Sequence, residues 1–310
     1  MIYTKDPVFA YHSLKYLFIR MTISFFCFIY CHTKVAGQNM QAEVCIAGTM
    51  AHSFISKINA QAYQLSISLP FNYSAADTIH YPVMYILDSD PNLPLAALIQ
   101  RNTSYDHEVP DVILVGVGYQ VSDFLASRPF RMLDYTPTRV PKIDSEMTAN
   151  HHMKMVSGGA YNFLRVLEEE VIPYIEKSYK TNNDRSLAGH SFGGLFAVYT
   201  LFHKPALFKK YLISSPSLEW DDREMLKEET QFYDAEHTAL KAKVFISVGS
   251  IEPEPMVPDM NKLVKVLRNR NYKELELTDY IFEDETHLSV IPFALSKGMR
   301  NLYNPAINKK

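Results

Sequence analysis

The chain has 310 residues, of which 47% are hydrophobic and 21% are charged, and its formal net charge is −3. These values are those of an ordinary globular protein that buries a large core, so we expect one domain over residues 38–310. The charge balance excludes a strongly basic surface for nucleic acid and a polybasic run for anionic membranes. We therefore expect a small-molecule partner, and the oligomeric state is left open.

The N-terminal part of the chain is typical of a secretory signal peptide. Residues 21–30 form an apolar run after two basic residues, and the small residues V-A-G follow at 35–37. The run is shorter than the roughly 20 residues that a membrane-spanning helix needs. We therefore expect residues 1–37 to be a signal peptide, with Met21 as an alternative start, and an exported protein (periplasmic or secreted) without stable membrane insertion. A buried N-terminal helix is the alternative.

Cysteine and histidine usage predicts no metal and no other cofactor. Cys27 and Cys31 lie in the predicted signal peptide, so the mature protein is expected to keep Cys45 alone. One thiol forms neither an internal disulfide nor a cysteine-based metal site. The adjacent His151 and His152 diverge on a helix or strand, and no third ligand at a suitable spacing accompanies them.

Apolar runs at strand spacing alternate with helical periodicity along most of the chain. Strands are predicted at residues 42–46, 62–68, 82–88, 111–117, 208–214, 243–248 and 275–282. Helices are predicted at residues 93–100, 158–179, 259–267 and 288–303, with a strand, turn and helix together over residues 184–205. The first two strands are typical of an antiparallel pair, and the later continuous apolar runs are typical of a buried parallel sheet. The alternation predicts a three-layer α/β domain with a mainly parallel sheet and helices on both faces.

Two segments depart from this regular pattern. Residues 118–157 show no firm periodicity, which predicts a long functional loop or lid. Pro173 lies inside the predicted helix at residues 158–179, and we expect it to bend that helix or to mark its last turns.

The strand, turn and helix at residues 184–205 contain a candidate nucleophile. Ser191 lies between Gly189 and Gly193 in a G-x-S-x-G pattern, in which a strained turn lifts a serine hydroxyl above the edge of a sheet. The glycines allow the helix to pass close to the strand. This arrangement predicts that Ser191 is the nucleophile of an acyl-transfer enzyme.

A serine hydroxyl needs a base within hydrogen-bond reach, and the base needs an orienting acid. In this fold class the acid and then the histidine follow the serine along the chain. His287 follows the last predicted strand and is the expected base. Glu252 follows an earlier strand and is the first choice for the acid; Glu254, Asp259 or no acid at all are the alternatives.

The oxyanion of a tetrahedral intermediate needs backbone N–H donors. One is expected from Phe192, where the start of a helix also favours negative charge. The second is expected from the loop after the strand at residues 82–88, hence from Ser89 or Asp90.

The motifs around Ser191 carry a family resemblance. The segment G-H-S-F-G-G-L is preceded by S-G-G-A-Y-N-F-L and Y-K-T and is followed by S-S-P-S-L-E-W. Together with P-V-M-Y-I-L-D and R-x-x-D-Y-T-P, it resembles the Putative esterase family of the α/β-hydrolase superfamily, which includes esterase D and the enterochelin esterases. The resemblance covers residues 65–302 and implies Ser191 as nucleophile, His287 as base and Glu252 as acid. Some siderophore esterases of the family work without the acid, which keeps a Ser-His dyad open.

The chain departs from the family at two positions. Relatives often carry glycine where this chain has Ser89, so the oxyanion loop is expected to differ in shape. Relatives often carry two aromatic residues where Glu219 precedes Trp220, and a carboxylate there disfavours an anionic substrate. Asp90 and Trp220, which lie in these two segments, are predicted to contact the substrate.

These observations predict an exported serine esterase that cleaves carboxylic esters or thioesters through an acyl-enzyme. An acyltransferase on the same scaffold differs only in the acceptor and is the near alternative. A catalytically silent carbohydrate-binding or siderophore-binding protein would lack a nucleophile or a base, whereas this chain has candidates for both.

Overall fold

The computed structural model describes residues 46–76 and 78–304. Their sheet has eight strands in the order β1-β2-β4-β3-β5-β6-β7-β8. The strands are β1 (Thr49–Ile55), β2 (Ala62–Ser68), β3 (Tyr81–Leu87), β4 (Ile113–Tyr119), β5 (Thr181–His190), β6 (Lys210–Ser214), β7 (Ala239–Gly249) and β8 (Lys273–Phe282). The helices are α1 (Ser89–Tyr105), α2 (Arg128–Tyr135), α3 (Pro141–His151), α4 (Ala160–Val166), α5 (Ile172–Ser178), α6 (Phe192–His203), α7 (Trp220–Asp234), α8 (Met256–Arg270) and α9 (Val290–Tyr303).

Strand direction brings the loops that carry the candidate site to one edge of the sheet. β1 pairs antiparallel with β2, and β2 pairs antiparallel with β4. The strands from β3 to β8 run parallel to one another. Because the C-terminal ends of parallel strands lie at the same edge, the segments that follow β3, β5, β6, β7 and β8 meet there.

Helices cover both faces of the sheet. Successive side chains of a strand point to opposite faces. Accordingly, Met84 and Ile86 of β3 pack in one cluster with side chains of α1 and α9. Val83 and Tyr85 pack in the other cluster with side chains of α4, α6 and α8. This is the predicted three-layer α/β architecture of an α/β-hydrolase with a mainly parallel sheet.

Most predicted elements are present, and the differences have physical reasons. β2 has the predicted bounds, and the later strands and helices are shifted or extended by a few residues. The first predicted strand, at 42–46, lies almost wholly outside the described residues. The strand that pairs with β2 is β1, an edge strand with no continuous apolar run because only every second or third side chain is partly covered. Helix α7 was not predicted, since only three of its residues are buried.

The prediction of a long irregular loop at residues 118–157 is wrong as to secondary structure, because α2 and α3 lie within it. Neither helix has a long apolar stripe. α2 has eight residues, of which Met132, Asp134 and Tyr135 are buried. α3 buries Asp144 alone, and its other residues are partly or fully exposed. Helical periodicity is therefore too short in α2 and too weak in α3 to be read from apolar positions.

Pro173 lies in the last turns of a long helical segment, as expected. The helical segment runs from α4 through a π-helical turn at Leu167–Val171 into α5. Proline has no N–H to donate and its ring crowds the preceding turn, so a widened turn next to it is a typical response. The helix thus continues past Pro173 to Ser178.

The predicted signal peptide and Cys45 lie outside the described residues, and both stay predictions. Over residues 46–76 and 78–304, no helix combines the length and apolarity needed to cross a bilayer.

A buried carboxyl links β2, β4 and α2. Asp134 accepts hydrogen bonds from the hydroxyls of Tyr63, at 2.7 Å, and Tyr119, at 3.1 Å. Burial raises the pKa of Asp134 to about 7, and the two tyrosine hydrogen bonds only partly offset that effect. An aspartate in the unfolded chain has a pKa of about 3.9. The folded protein is thus expected to hold this proton over a pH range in which the unfolded chain has lost it.

Asp134→Asn should flatten the pH dependence of stability between about pH 4 and 7. In this window the native wild type binds one more proton than the unfolded chain, so its free energy of unfolding falls as pH rises, by up to about 1.4 kcal/mol per pH unit. The amide does not titrate, so the free energy of unfolding of the variant rises relative to that of the wild type as pH rises. Urea unfolding across this range measures the effect, with the exposed Asp106→Asn as control. Parallel curves for wild type and Asp134→Asn would contradict the argument.

Candidate active site

Ser191 lies in a strained turn between β5 and α6. Its backbone angles are φ 59° and ψ −121°, a region that side chains other than glycine rarely adopt. The turn is held because the Ser191 N–H donates to the Ser214 carbonyl at 3.0 Å, and the Ser191 carbonyl accepts from the N–H of Leu195 at 2.9 Å. A Cβ atom at Gly189 would lie 2.2 Å from the Gly193 carbonyl oxygen, so the close contact of strand and helix requires glycine there. The Ser191 hydroxyl lies 3.4 Å from that of Ser217.

His287 and Glu252 are joined by a hydrogen bond between the loops that follow β8 and β7. Nδ1 of His287 lies 2.8 Å from Oε2 of Glu252. The side chain of Glu252 has no exposed surface, whereas that of His287 is 29% exposed. One ring nitrogen of His287 is therefore fixed by a buried carboxylate, and the ring keeps an open side.

Two further donors hold the Glu252 carboxylate. Its Oε1 accepts the hydroxyl of Ser215 and, at 2.9 Å, the N–H of Gly249. Burial by itself raises the pKa of the Glu252 carboxyl, but the hydrogen bonds from His287, Ser215 and Gly249 outweigh burial and leave this pKa below its ordinary value. Glu252 is thus ionised at neutral pH and orients His287.

The other two candidate acids are placed differently. Glu254 is exposed. Asp259 is buried on α8 and accepts a hydrogen bond from Arg223 Nε at 2.7 Å. Of the three carboxylates that the sequence left open, the structure brings Glu252 to His287.

The ring of His287 also packs against the residue that precedes the candidate nucleophile. The ring centroids of His190 and His287 are 4.5 Å apart, and the ring planes are inclined by 43°. Since His190 is the last residue of β5 and Ser191 follows it directly, Ser191 and His287 lie at the same edge of the sheet.

The candidate oxyanion donors lie at the starts of two helices. Phe192 is the first residue of α6, and Ser89 is the first residue of α1. Their N–H groups are among those that an α-helix leaves without internal acceptors. The Ser89 side chain is buried against β4, where a Cβ atom at Gly116 would lie 2.3 Å from its hydroxyl oxygen. A donor role for Ser89 thus concerns its backbone only.

Asp90 lines a groove together with Thr49, Met50 and Ser66 of the antiparallel strands. Partial burial and the charge of Asp88 raise the pKa of the Asp90 carboxyl. Its predicted contact with substrate stays a prediction.

Trp220 is buried rather than open to solvent. Its ring meets the ring of Phe192 edge to face at 5.5 Å, and its Nε1 donates to the Thr138 hydroxyl at 3.1 Å. Its predicted role in substrate binding also stays a prediction, and its direct contact is with Phe192. Partial burial raises the pKa of the neighbouring Glu219, and the nearby Asp259 adds to the effect.

An ion pair beside Phe192 was not predicted from the sequence. Arg131 of α2 donates from Nε and Nη2 to the two carboxylate oxygens of Asp88, each at 2.9 Å. Its guanidinium carbon lies 5.5 Å from the ring centroid of Phe192, 5.6 Å from that of Phe124 and 5.7 Å from that of Tyr135. The sequence signal that could have pointed to this ion pair is the motif R-x-x-D-Y-T-P, in which Arg131 is the first residue.

The sequence of this chain matches the model of a known family over residues 56–286, and the model's description is Putative esterase. The chain belongs to the Putative esterase family. The expected resemblance is thereby confirmed, and ester hydrolysis is the activity class of this family. The matched span contains Ser191 and Glu252 and ends one residue before His287.

Several known proteins are similar to most of the chain. The ferri-bacillibactin esterase BesA of Bacillus subtilis is 28% identical over 84% of this chain and 91% of its own length. The siderophore enterobactin esterase of Emericella nidulans is 30% identical over 78% of this chain and 89% of its own length. Among solved structures, the BES protein of Bacillus cereus superposes with a TM-score of 0.76 at 32% identity, covering 86% of this chain and all of its own.

Gly249→Ala should lower activity without unfolding the protein. A Cβ atom there would lie 2.2 Å from the Glu285 carbonyl oxygen, so the loop that carries His287 must move away from β7. We expect a fall in kcat with little change in melting temperature, measured by ester hydrolysis and by circular dichroism. Wild-type kcat in a folded Gly249→Ala protein would show that the loop position is not critical.

Proposed function

We propose that this protein is a serine esterase that cleaves carboxylic esters through an acyl-enzyme, with Ser191 as nucleophile, His287 as base and Glu252 as the orienting acid. The observation that carries the proposal is the 2.8 Å hydrogen bond between His287 and a buried Glu252 carboxylate, at the edge of the sheet where Ser191 occupies its strained turn. Membership of the Putative esterase family supports the same activity.

The first half of the reaction forms the acyl-enzyme. The Ser191 hydroxyl attacks the ester carbonyl carbon as His287 takes its proton. The negative charge that develops on the carbonyl oxygen is stabilised by the N–H of Phe192 and by an N–H at the start of α1, from Ser89 or Asp90. Collapse of this intermediate breaks the ester C–O bond, and His287 gives its proton to the leaving alcohol.

Water completes the reaction by the same steps. His287 removes a proton from the attacking water, the second tetrahedral intermediate collapses, and the proton returns to Ser191 as the carboxylic acid leaves. In each half, His287 becomes a cation for a short time. Glu252, ionised beside Nδ1, stabilises that cation and keeps the ring oriented.

For the substrate, we propose an ester bond of an iron-chelating siderophore. Two relatives that align with more than three quarters of the chain are named as esterases of ferri-bacillibactin and of enterobactin. The guanidinium of Arg131 lies against the aromatic rings of Phe124 and Phe192, and Phe192 follows Ser191 directly in the chain. These groups suit a substrate that carries aromatic rings next to its ester carbonyl, because aromatic pairs and cation–π contacts both favour such ligands.

Protein lacking residues 1–37 should react with a fluorophosphonate probe at Ser191 and hydrolyse p-nitrophenyl butyrate. Ser191→Ala and His287→Ala should each lower kcat on the order of 10⁶-fold, because the serine and the histidine act as a unit. Mass spectrometry of the labelled peptide identifies the site. If folded protein takes up no probe at Ser191, the esterase proposal is wrong. Chromatography of siderophore esters after incubation tests the substrate separately, with the Ser191→Ala protein as blank.

Glu252→Gln should lower kcat by roughly 10⁴-fold, since the amide no longer stabilises the imidazolium or fixes its tautomer. Glu254→Gln is the matched control two residues away, and its exposed side chain should leave kcat unchanged. Steady-state kinetics on both variants decide the assignment. Equal and negligible losses would favour a Ser-His dyad over the triad.

A further inference from the structure

His190 has contacts that the proposed reaction does not use. Its side chain is buried, with only 7% of the residue exposed. Nδ1 lies 3.1 Å from the hydroxyl of Ser214 at the end of β6. One side of the ring supports His287, at 4.5 Å between centroids. The other ring nitrogen, Nε2, is buried and has no hydrogen-bond partner among the described residues.

A small cavity adjoins His190 beneath α1 and α9. Its wall is mainly apolar, with side chains such as Ile86, Leu212 and Leu295, and its polar lining includes His190, Asn92 and Ser214. The cavity leaves about 10 Å³ for the centre of a water molecule, which is about the space that one water needs. Its size and lining therefore suit a single water rather than a larger ligand.

Asn92 supplies a second unpaired atom at the same cavity. The residue is 5% exposed, and its Oδ1 is buried without a hydrogen-bond partner among the described residues. Its Nδ2 donates to the carbonyl of Leu87 at 3.0 Å, and its backbone N–H donates to the carbonyl of Asp88 at 3.3 Å. Asn92 thus holds the turn between β3 and α1, from which the second oxyanion donor is expected.

We propose that one buried water bridges Nε2 of His190 and Oδ1 of Asn92, and that this bridge fixes the ring against which His287 packs. His190 and Asn92 line one cavity of the right size, and each has a buried polar atom without a partner among the described residues, so one bridging water would satisfy both. His190 and Asn92 are then positioning residues that connect the oxyanion turn to the histidine base. The inference rests on the proposed function, because it assigns these residues to the same reaction.

The protonation state of His190 agrees with such a bridge. Burial lowers the pKa of His190 well below its ordinary value, and the neighbouring charges of His287 and Arg131 act in the same direction, while the backbone of His287 makes a weaker opposing contribution. The ring is therefore neutral at the pH of catalysis, with one N–H and one lone pair. A water molecule can accept from Nε2–H or donate to the Nε2 lone pair, and in both cases it donates to Oδ1 of Asn92. A neutral neighbour also leaves the imidazolium of His287 free of like-charge repulsion.

A double-mutant cycle on His190→Phe and Asn92→Leu tests the bridge. Each single variant should lower kcat roughly tenfold, as expected for one lost hydrogen bond, with KM changed less than about twofold. The double variant should lose about tenfold rather than a hundredfold, because either change alone removes the bridge. Gln100→Leu is the matched control: it removes another buried amide of α1 with an unpaired nitrogen, Nε2, but one that lines a different groove. That control should keep wild-type kcat.

The outcomes separate this inference from the proposed function. Wild-type protein that fails to label with fluorophosphonate overturns the esterase itself. If the wild type is labelled but the kcat losses of the two single variants add up in the double variant, the esterase stands and the bridge is wrong. The same holds if the single variants are as active as Gln100→Leu. If His190→Phe does not fold, a high-resolution crystal structure of the wild-type protein tests the bridge. Density for one water between Nε2 of His190 and Oδ1 of Asn92 supports it, and a dry cavity contradicts it.

Discussion

The carboxylate of Glu252 is kept ionised in a position where its side chain has no exposed surface. Burial of an unpaired carboxylate is costly, and a buried acid without partners takes up a proton instead. Here the Ser215 hydroxyl, the Gly249 N–H and the His287 ring compensate for the lost water. These three donors come from the segment after β6, the last residue of β7 and the segment after β8. The charge therefore depends on the correct register of three parallel strands, and the orientation of His287 depends on the charge.

A second group of contacts holds α2 against β2, β4 and the segment that follows β3. Within R-x-x-D-Y-T-P, Arg131 pairs with Asp88 after β3, while Asp134 accepts from tyrosines of β2 and β4. The hydroxyl of Tyr135 accepts from the N–H of Asp88 at 3.2 Å. The motif thus ties α2 to three strands, and its conformation sets both the turn before Ser89 and the surroundings of Phe192. Its residues are contiguous in the sequence, and in the fold their side chains connect α2 to separate strands.

Features that depend on a short segment of sequence could be predicted. Strands buried on both faces form continuous apolar runs, and the turn at Ser191 requires glycines at fixed positions, so both could be predicted. Glu252 could be ranked above Glu254 and Asp259 but not chosen, because three prolines separate these acids and loop geometry decides which carboxylate reaches His287. The Asp88–Arg131 pair and the support of His287 by His190 join positions far apart in the chain. Such contacts have no periodic signature, and they emerge only once the strand order is known.

Trp220 is the one tryptophan in the chain, and its indole lies in edge-to-face contact with Phe192, the residue that follows Ser191. Indole emission depends strongly on local polarity and on nearby quenching groups. Trp220 is therefore an intrinsic fluorescent reporter that contacts the residue next to the proposed nucleophile, Ser191. Ligand entry and the proposed acylation of Ser191 should therefore be measurable by tryptophan fluorescence in the unlabelled wild-type protein, with no competing signal from another indole.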